Sequence, residues 1–203
     1  MHKRVLFTLL IISFLTQSNL SRIPLIQSNT IPADEYEFYS MLIRHLAGDS
    51  RLVVITDKTS GVGGDDELGA LFFGEKFENL KKSNGFSEIT EDTIGNYLNK
   101  PKKPIKLTRS FNLPNEYILI SESSIDAFFK KKGIGGWDDF YAKYPNSRGY
   151  IGFSRVGFNQ QKSQALVYAI VACGSRCMYG GYYFFVKQQN KWVLKGKNIL
   201  LQA

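Results

Sequence analysis

The sequence predicts an α+β fold in which a helix-rich N-terminal half packs on a C-terminal antiparallel β-meander. Segments with helical spacing of apolar residues dominate the chain before Gly149, and strand-like segments separated by short polar turns follow it. The chain has 203 residues, of which 43% are hydrophobic. This is enough for one well-packed core, so a single domain is expected.

The N-terminal residues have the layout of a secretory signal peptide. Basic residues at positions 2–4 precede the apolar stretch Val5–Leu15, and small residues that suit cleavage flank Gln17. The apolar stretch is short for a bilayer span, although an uncleaved membrane anchor is the alternative. We therefore expect export to the periplasm or the medium, with a signal peptide over 1–18, a linker over 19–32 and one α+β domain over 33–203.

The chain is modestly basic. Its formal charge is +8, and loss of Lys3 and Arg4 with the signal peptide lowers the charge to +6. A basic surface favours anionic partners. The expected partners are an anionic envelope polymer, a membrane surface or another exported protein, and export makes nucleic acid an unexpected one.

Helices are predicted where apolar residues recur every three or four positions, with acids in the first turn and glycine after the last. An aromatic set such as that of the last helix is usually core, but it can also line a sugar-stacking groove. The predicted helices are Ala33–Ala47, Leu68–Lys82, Thr90–Leu98, Ser124–Lys132 and Trp137–Tyr144, and the strands of this half are Arg51–Thr56, Lys106–Phe111 and Tyr117–Ser121.

A glycine-rich loop over Thr59–Asp66 follows the first predicted strand. Such a loop can cradle phosphate, but Gly-Lys-Ser/Thr is missing and Asp65, Asp66 and Glu67 would repel the ligand. Calcium would need spaced acidic ligands that are also missing. A flexible surface loop is the favoured interpretation.

The C-terminal part reads as four antiparallel strands. Ala165–Cys173 carries no charge and no breaker, which is typical of a strand covered on both faces. Tyr182–Val186 and Trp192–Leu201 follow across short polar turns. In Tyr150–Phe158 the apolar parity changes at Ser154-Arg155, which predicts a β-bulge or a bend there.

The two cysteines, Cys173 and Cys177, bracket the tip of the second predicted hairpin. A disulfide is the expected state in an exported protein. A metal site would need further ligands that are not nearby, and a redox pair usually has two intervening residues. The bond would hold the tip, which also carries a predicted recognition surface: Arg176, Met178 and Tyr179.

One pattern resembles a group of uncharacterised exported bacterial proteins. It consists of Ser154-x-Val156-Gly157-Phe158, Ala165-Leu166-Val167-Tyr168, Cys173-Gly174-x-x-Cys177-x-x-Gly180 and Trp192. The resemblance covers about the last quarter of the chain and implies a common fold for that quarter. It implies no activity and no functional residues.

Whether the protein is an enzyme stays open, and the residues favour a non-enzyme. His45 is the one histidine after signal removal, no Gly-x-Ser-x-Gly elbow is present, and oxidised cysteines are not nucleophiles. We expect a non-enzymatic binding or structural envelope protein without a metal or cofactor. The alternative is an envelope hydrolase that uses a carboxylate pair, drawn from Asp57, Glu122, Asp138 and Asp139.

Overall fold

The computed structural model describes residues 30–60, 80–101, 103–130 and 136–202, which contain a seven-stranded mixed sheet. The helices are α1 (Ala33–Ala47), α2 (Glu91–Leu98), α3 (Glu122–Phe129) and α4 (Gly136–Lys143). The strands are β1 (Leu52–Thr56), β2 (Glu116–Ile120), β3 (Ser147–Phe153), β4 (Gly157–Phe158), β5 (Gln164–Gly174), β6 (Cys177–Gln188) and β7 (Lys191–Gln202).

The strand order is β2-β1-β3-β5-β6-β7, with β4 beside β5. β3, β5, β6 and β7 pair antiparallel, which confirms the predicted meander. β1 lies parallel between β2 and β3, so strands from both halves share one sheet. The predicted division into a helix-rich N-terminal half and a C-terminal sheet is therefore wrong. β1 is Leu-Val-Val-Ile-Thr, and this lack of alternation suits a central strand covered on both faces.

Helices cover both faces of the sheet. On one face α1 buries Phe38, Leu42 and Ile43 in a core with alternate residues of β1, β3, β5 and β6. On the other face α2 packs over β5 and β6, while α3 and α4 pack over β1, β2 and β3. Successive residues of a strand belong to the cores on opposite faces of the sheet, because β-strand side chains alternate between the two faces.

The predicted irregularity after β3 is confirmed. Phe153 pairs with Ala169, and Gly157 pairs with Leu166, so the edge formed by β3 and β4 holds one residue more than β5 opposite it. Ser154 maintains the ladder here, because its N–H donates to the Tyr168 carbonyl at 2.9 Å and its Oγ accepts the Tyr168 N–H at 3.0 Å. Because of the extra residue, Arg155 lies outside the regular pairing of β3 and β4 with β5.

The structure tests the predicted bounds of several helices and strands. α1 has its predicted bounds, and α2 begins after Thr90, whose hydroxyl accepts the Thr93 N–H. α3 begins earlier than predicted and is capped by Ser121. The strand predicted over 106–111 is wrong, since only Lys106 forms a bridge, with Lys58. The predicted signal peptide lies outside the described residues, as do positions 61–66 of the predicted glycine-rich loop and positions 68–79 of the predicted helix Leu68–Lys82.

Candidate functional site

The disulfide closes the β5–β6 hairpin. Cys173 and Cys177 are bonded with their Cα atoms 5.0 Å apart, and Ser175-Arg176 forms the turn between the strands. This confirms the predicted disulfide. Neither thiol is free to bind a metal or to act as a nucleophile in this state.

The predicted recognition residues diverge from the hairpin tip. Arg176 is exposed in the turn, whereas Met178 and Tyr179 are partly buried. Tyr179 packs on the α1 side of the sheet, and Met178 lies on the opposite face because adjacent strand residues point to opposite sides. A ligand on one face of the sheet can therefore contact Arg176 together with either Met178 or Tyr179, but not with both.

Arginines occupy neighbouring strand ends at the disulfide end of the sheet. Arg51 precedes β1, Arg148 lies at the start of β3, and Arg176 forms the β5–β6 turn; all three are exposed. We call these three residues the cationic rim. Adjacent strands are about 4.8 Å apart. The backbone positions of the three rim arginines are therefore about one to two strand spacings apart.

Further charges at this end add to the rim. Arg44 lies in the last turn of α1, and its Nη1 donates to the Asn112 carbonyl at 3.1 Å. Lys143 ends α4 next to the start of β3. Acids also lie at this end: Asp49 follows α1, Glu116 begins β2, and Asp139 shares a groove with Lys143. Among these named side chains the five cations outnumber the three acids.

Aromatic side chains of α4 connect that helix to the disulfide hairpin. The Tyr141 hydroxyl donates to the Cys173 carbonyl at 2.9 Å. The Trp137 ring stacks on Tyr150 of β3, with centroids 6.1 Å apart and planes 13° from parallel. Phe140 is fully buried, as expected for a core residue, but Trp137 and Tyr141 are only half-buried. Aromatic side chains of α4 therefore pack beside the hairpin and hydrogen-bond to it.

A groove of about 470 Å³ runs between α3 and α4. Its apolar lining is Phe128 with Ala127 and Ala142, and its polar lining is Ser124, Asp139 and Lys143. The Lys143 ammonium lies 5.7 Å from the centre of the Phe128 ring and 5.4 Å from that of Tyr144. Lys143 therefore belongs both to this groove and to the positively charged end of the sheet.

A buried ion pair lies at the opposite end, where the bulge follows β3. Arg155 donates from Nε to Glu35 Oε2 at 2.7 Å and from Nη2 to Oε1 at 2.6 Å. Glu35 and Arg155 are only 1% and 5% exposed. Lys100 adds a longer contact to Glu35 at 3.5 Å. Sequence reasoning missed this pair, and the parity change at Arg155 was the one signal of it.

The ion pair extends into a hydrogen-bonded network. The Tyr39 hydroxyl lies 3.1 Å from Glu35 Oε2 and 3.0 Å from the Ser154 carbonyl. Burial raises the pKa of Tyr39 well above its usual range, and the Glu35 carboxylate adds to this rise. Burial alone would lower the pKa of Arg155, but its hydrogen bonds and attraction to Glu35 raise it instead. The raised pKa values keep the Tyr39 hydroxyl protonated and the Arg155 guanidinium charged near neutral pH, which suits a structural role.

Most of the residues considered for catalysis are exposed to solvent. Glu122, Asp138 and Asp139 are exposed on α3 and α4, and Asp57 is partly buried after β1. His45 is exposed near the end of α1. Among residues 30–60, 80–101, 103–130 and 136–202, no group of three His, Cys, Asp or Glu side chains could hold a metal. The described helices also include none long and apolar enough to cross a membrane.

Comparison of this chain with protein-family models, curated proteins and solved structures finds no match. The likeness of the last quarter to exported bacterial proteins therefore remains a sequence resemblance.

Proposed function

We propose that this chain is a non-enzymatic exported protein that binds an anionic polymer of the bacterial envelope through the cationic rim. The observation that carries the proposal is the placement of Arg51, Arg148 and Arg176 on neighbouring strand ends beside the disulfide. Surface arginines are common, but their alignment along one rigid edge suits a ligand with repeated negative charges.

Arginine chemistry favours this class of ligand. A guanidinium group donates two parallel hydrogen bonds to a carboxylate or phosphate, and it stays charged at every physiological pH. The disulfide and the Tyr141 hydrogen bond hold the hairpin in place. Less side-chain and loop freedom is then lost on binding, which favours affinity.

Export is supported by the disulfide and by the residues at positions 1–18. Disulfides persist in oxidising compartments and are rare in the reducing cytosol of most bacteria. The basic start and the apolar stretch Val5–Leu15 have the layout of a signal peptide. An exported protein meets the anionic polymers of the envelope directly.

The alternative, an envelope hydrolase with a carboxylate pair, has less support. A glycosidase acid must be kept protonated by apolar surroundings, and its partner must lie across the same cleft. Glu122, Asp138 and Asp139 are instead exposed to solvent.

Charge removal at the rim tests the proposal. We expect R51Q/R148Q/R176Q to bind polygalacturonate about tenfold more weakly than the unmodified protein at low salt, because three exposed ion pairs together contribute about 1.4 kcal/mol. Binding of the unmodified protein should also weaken as salt is added. Isothermal calorimetry measures both effects.

A charge-matched variant provides the control. K58Q/K187Q/K191Q removes three exposed charges from the opposite end of the sheet and should change affinity less than about twofold. Equal losses in both variants would show that net charge alone attracts the polymer, and the rim would not be a binding site.

Loss of the disulfide should lower both the stability of the protein and its affinity for the polymer. For C173S/C177S we expect the free energy of unfolding to fall by at most about 2 kcal/mol, because the bond closes a very short loop. Polymer affinity should fall as well, since the turn that carries Arg176 becomes mobile. Urea unfolding and calorimetry on the same samples check this, and unchanged affinity would mean that the hairpin tip makes no contact with the ligand.

A further inference from the structure

The groove between α3 and α4 combines three kinds of surface that one small ligand could use together. Phe128, Ala127 and Ala142 form its apolar lining. Ser124 adds a hydroxyl to the lining, and Asp139 adds a carboxylate. Its volume of about 470 Å³ falls within the range of small-molecule sites, about 300–1,000 Å³.

The groove adjoins the cationic rim through the end of α4. The Ser147 N–H donates to the Tyr144 carbonyl at 3.3 Å, and the Leu52 N–H donates to the Asn146 carbonyl at 3.4 Å. These bonds tie the residues after Lys143 to the starts of β3 and β1, where Arg148 and Arg51 lie. A polymer that contacts the rim can therefore extend towards the groove.

The polar lining suits an acidic sugar polymer better than a phosphate chain. The Asp139 carboxylate can accept hydrogen bonds from sugar hydroxyls, which a phosphate chain lacks. The Lys143 ammonium, 5.7 Å from the centre of the Phe128 ring, can pair with a single carboxylate. The apolar lining suits the C–H face of a sugar ring.

We propose that the α3–α4 groove binds one carboxylate-bearing sugar ring of an acidic polysaccharide. This inference rests on the proposed binding at the rim and names the class of polymer. The sugar carboxylate pairs with Lys143, its hydroxyls bond to Asp139 and Ser124, and its apolar face lies on Phe128 and Ala142. The rim holds the neighbouring acidic units of the same chain.

Filling the groove separates this inference from the proposed function. The variant A142F, which places a ring between the helices, should bind polygalacturonate about tenfold more weakly and inorganic polyphosphate unchanged. A33F puts the same substitution at an exposed alanine at the start of α1 and should bind both probes as the unmodified protein does. Circular dichroism verifies that each variant is folded.

A second variant covers the case in which A142F does not fold. D139A removes an exposed side chain, so it should fold normally, bind polygalacturonate several-fold more weakly and bind polyphosphate at least as well as before. Equal changes for the two probes in a folded A142F or D139A overturn the groove assignment. If R51Q/R148Q/R176Q still loses affinity in that case, the rim proposal stands. Failure of the unmodified protein to bind either probe overturns both.

Discussion

Replacement of Glu35 by Gln is expected to lower the free energy of unfolding by about 3–5 kcal/mol, because it leaves the buried Arg155 charge without its partner. The carboxylate accepts both guanidinium hydrogen bonds, and Arg155 is only 5% exposed. Water cannot replace the lost partner at this depth. Urea unfolding followed by circular dichroism measures the change.

The adjacent part of α1 provides a matched control. Glu37 is exposed on the same helix, so Glu37→Gln makes the same chemical change and should alter stability by less than about 0.5 kcal/mol. Replacing both partners, as in E35L/R155M, should recover much of the loss, because no buried charge then remains. A loss below about 1 kcal/mol for Glu35→Gln would contradict the account of this ion pair.

Replacement of Gly157 by Ala is expected to cost about 3 kcal/mol, because the added methyl group has no room. A Cβ at this position would lie 2.4 Å from the Cβ of Tyr97 and 2.6 Å from its Cα. The Cα belongs to the backbone of α2 and the Cβ is bonded to it, so a side-chain rotation cannot relieve the clash. The whole helix must move away from β4. Thermal unfolding should show a correspondingly lower midpoint.

Gly95 lies on the same helix and gives the opposite expectation. A Cβ there would meet no atom within 4 Å, and alanine is the better helix former. Gly95→Ala should therefore stabilise the protein by about 0.5–1 kcal/mol. If both substitutions destabilise equally, the close contact of α2 with β4 is not the cause of the Gly157 effect.

Local chemistry explains which parts of the fold could be predicted. The bulge after β3 follows from the parity change at Ser154-Arg155, and α1 follows from apolar residues at helical spacing with Gly48 after its last residue. The meander follows from short turns, which force antiparallel neighbours. Each of these signals lies within about ten residues of the feature that it predicts.

The remaining features depend on contacts between distant residues. β1 and β2 pair in parallel although more than fifty residues separate them, and no turn residue encodes that pairing. Glu35 meets Arg155 across 120 positions, so in sequence it reads as an ordinary first-turn acid. The alignment of Arg51, Arg148 and Arg176 likewise becomes visible only once the strand order is known.

The alternation of side chains along a strand also separates the residues of the predicted recognition surface. Met178 and Tyr179 are adjacent in sequence, and a strand must send them to opposite faces. Arg176 remains in the proposed binding surface, and Arg51 and Arg148 join it from other strands. The predicted hairpin tip is thus one part of a wider rim.

Binding of an anionic polymer at the disulfide end of the sheet can be located by NMR titration. Short oligogalacturonate would be added to isotope-labelled protein while backbone amide shifts are followed. We expect the shift changes to cluster at Arg51, Arg148 and the Ser175-Arg176 turn, and to vanish in R51Q/R148Q/R176Q. Changes centred instead on the β6–β7 turn at Gln189-Asn190, or spread evenly over the surface lysines, would contradict it.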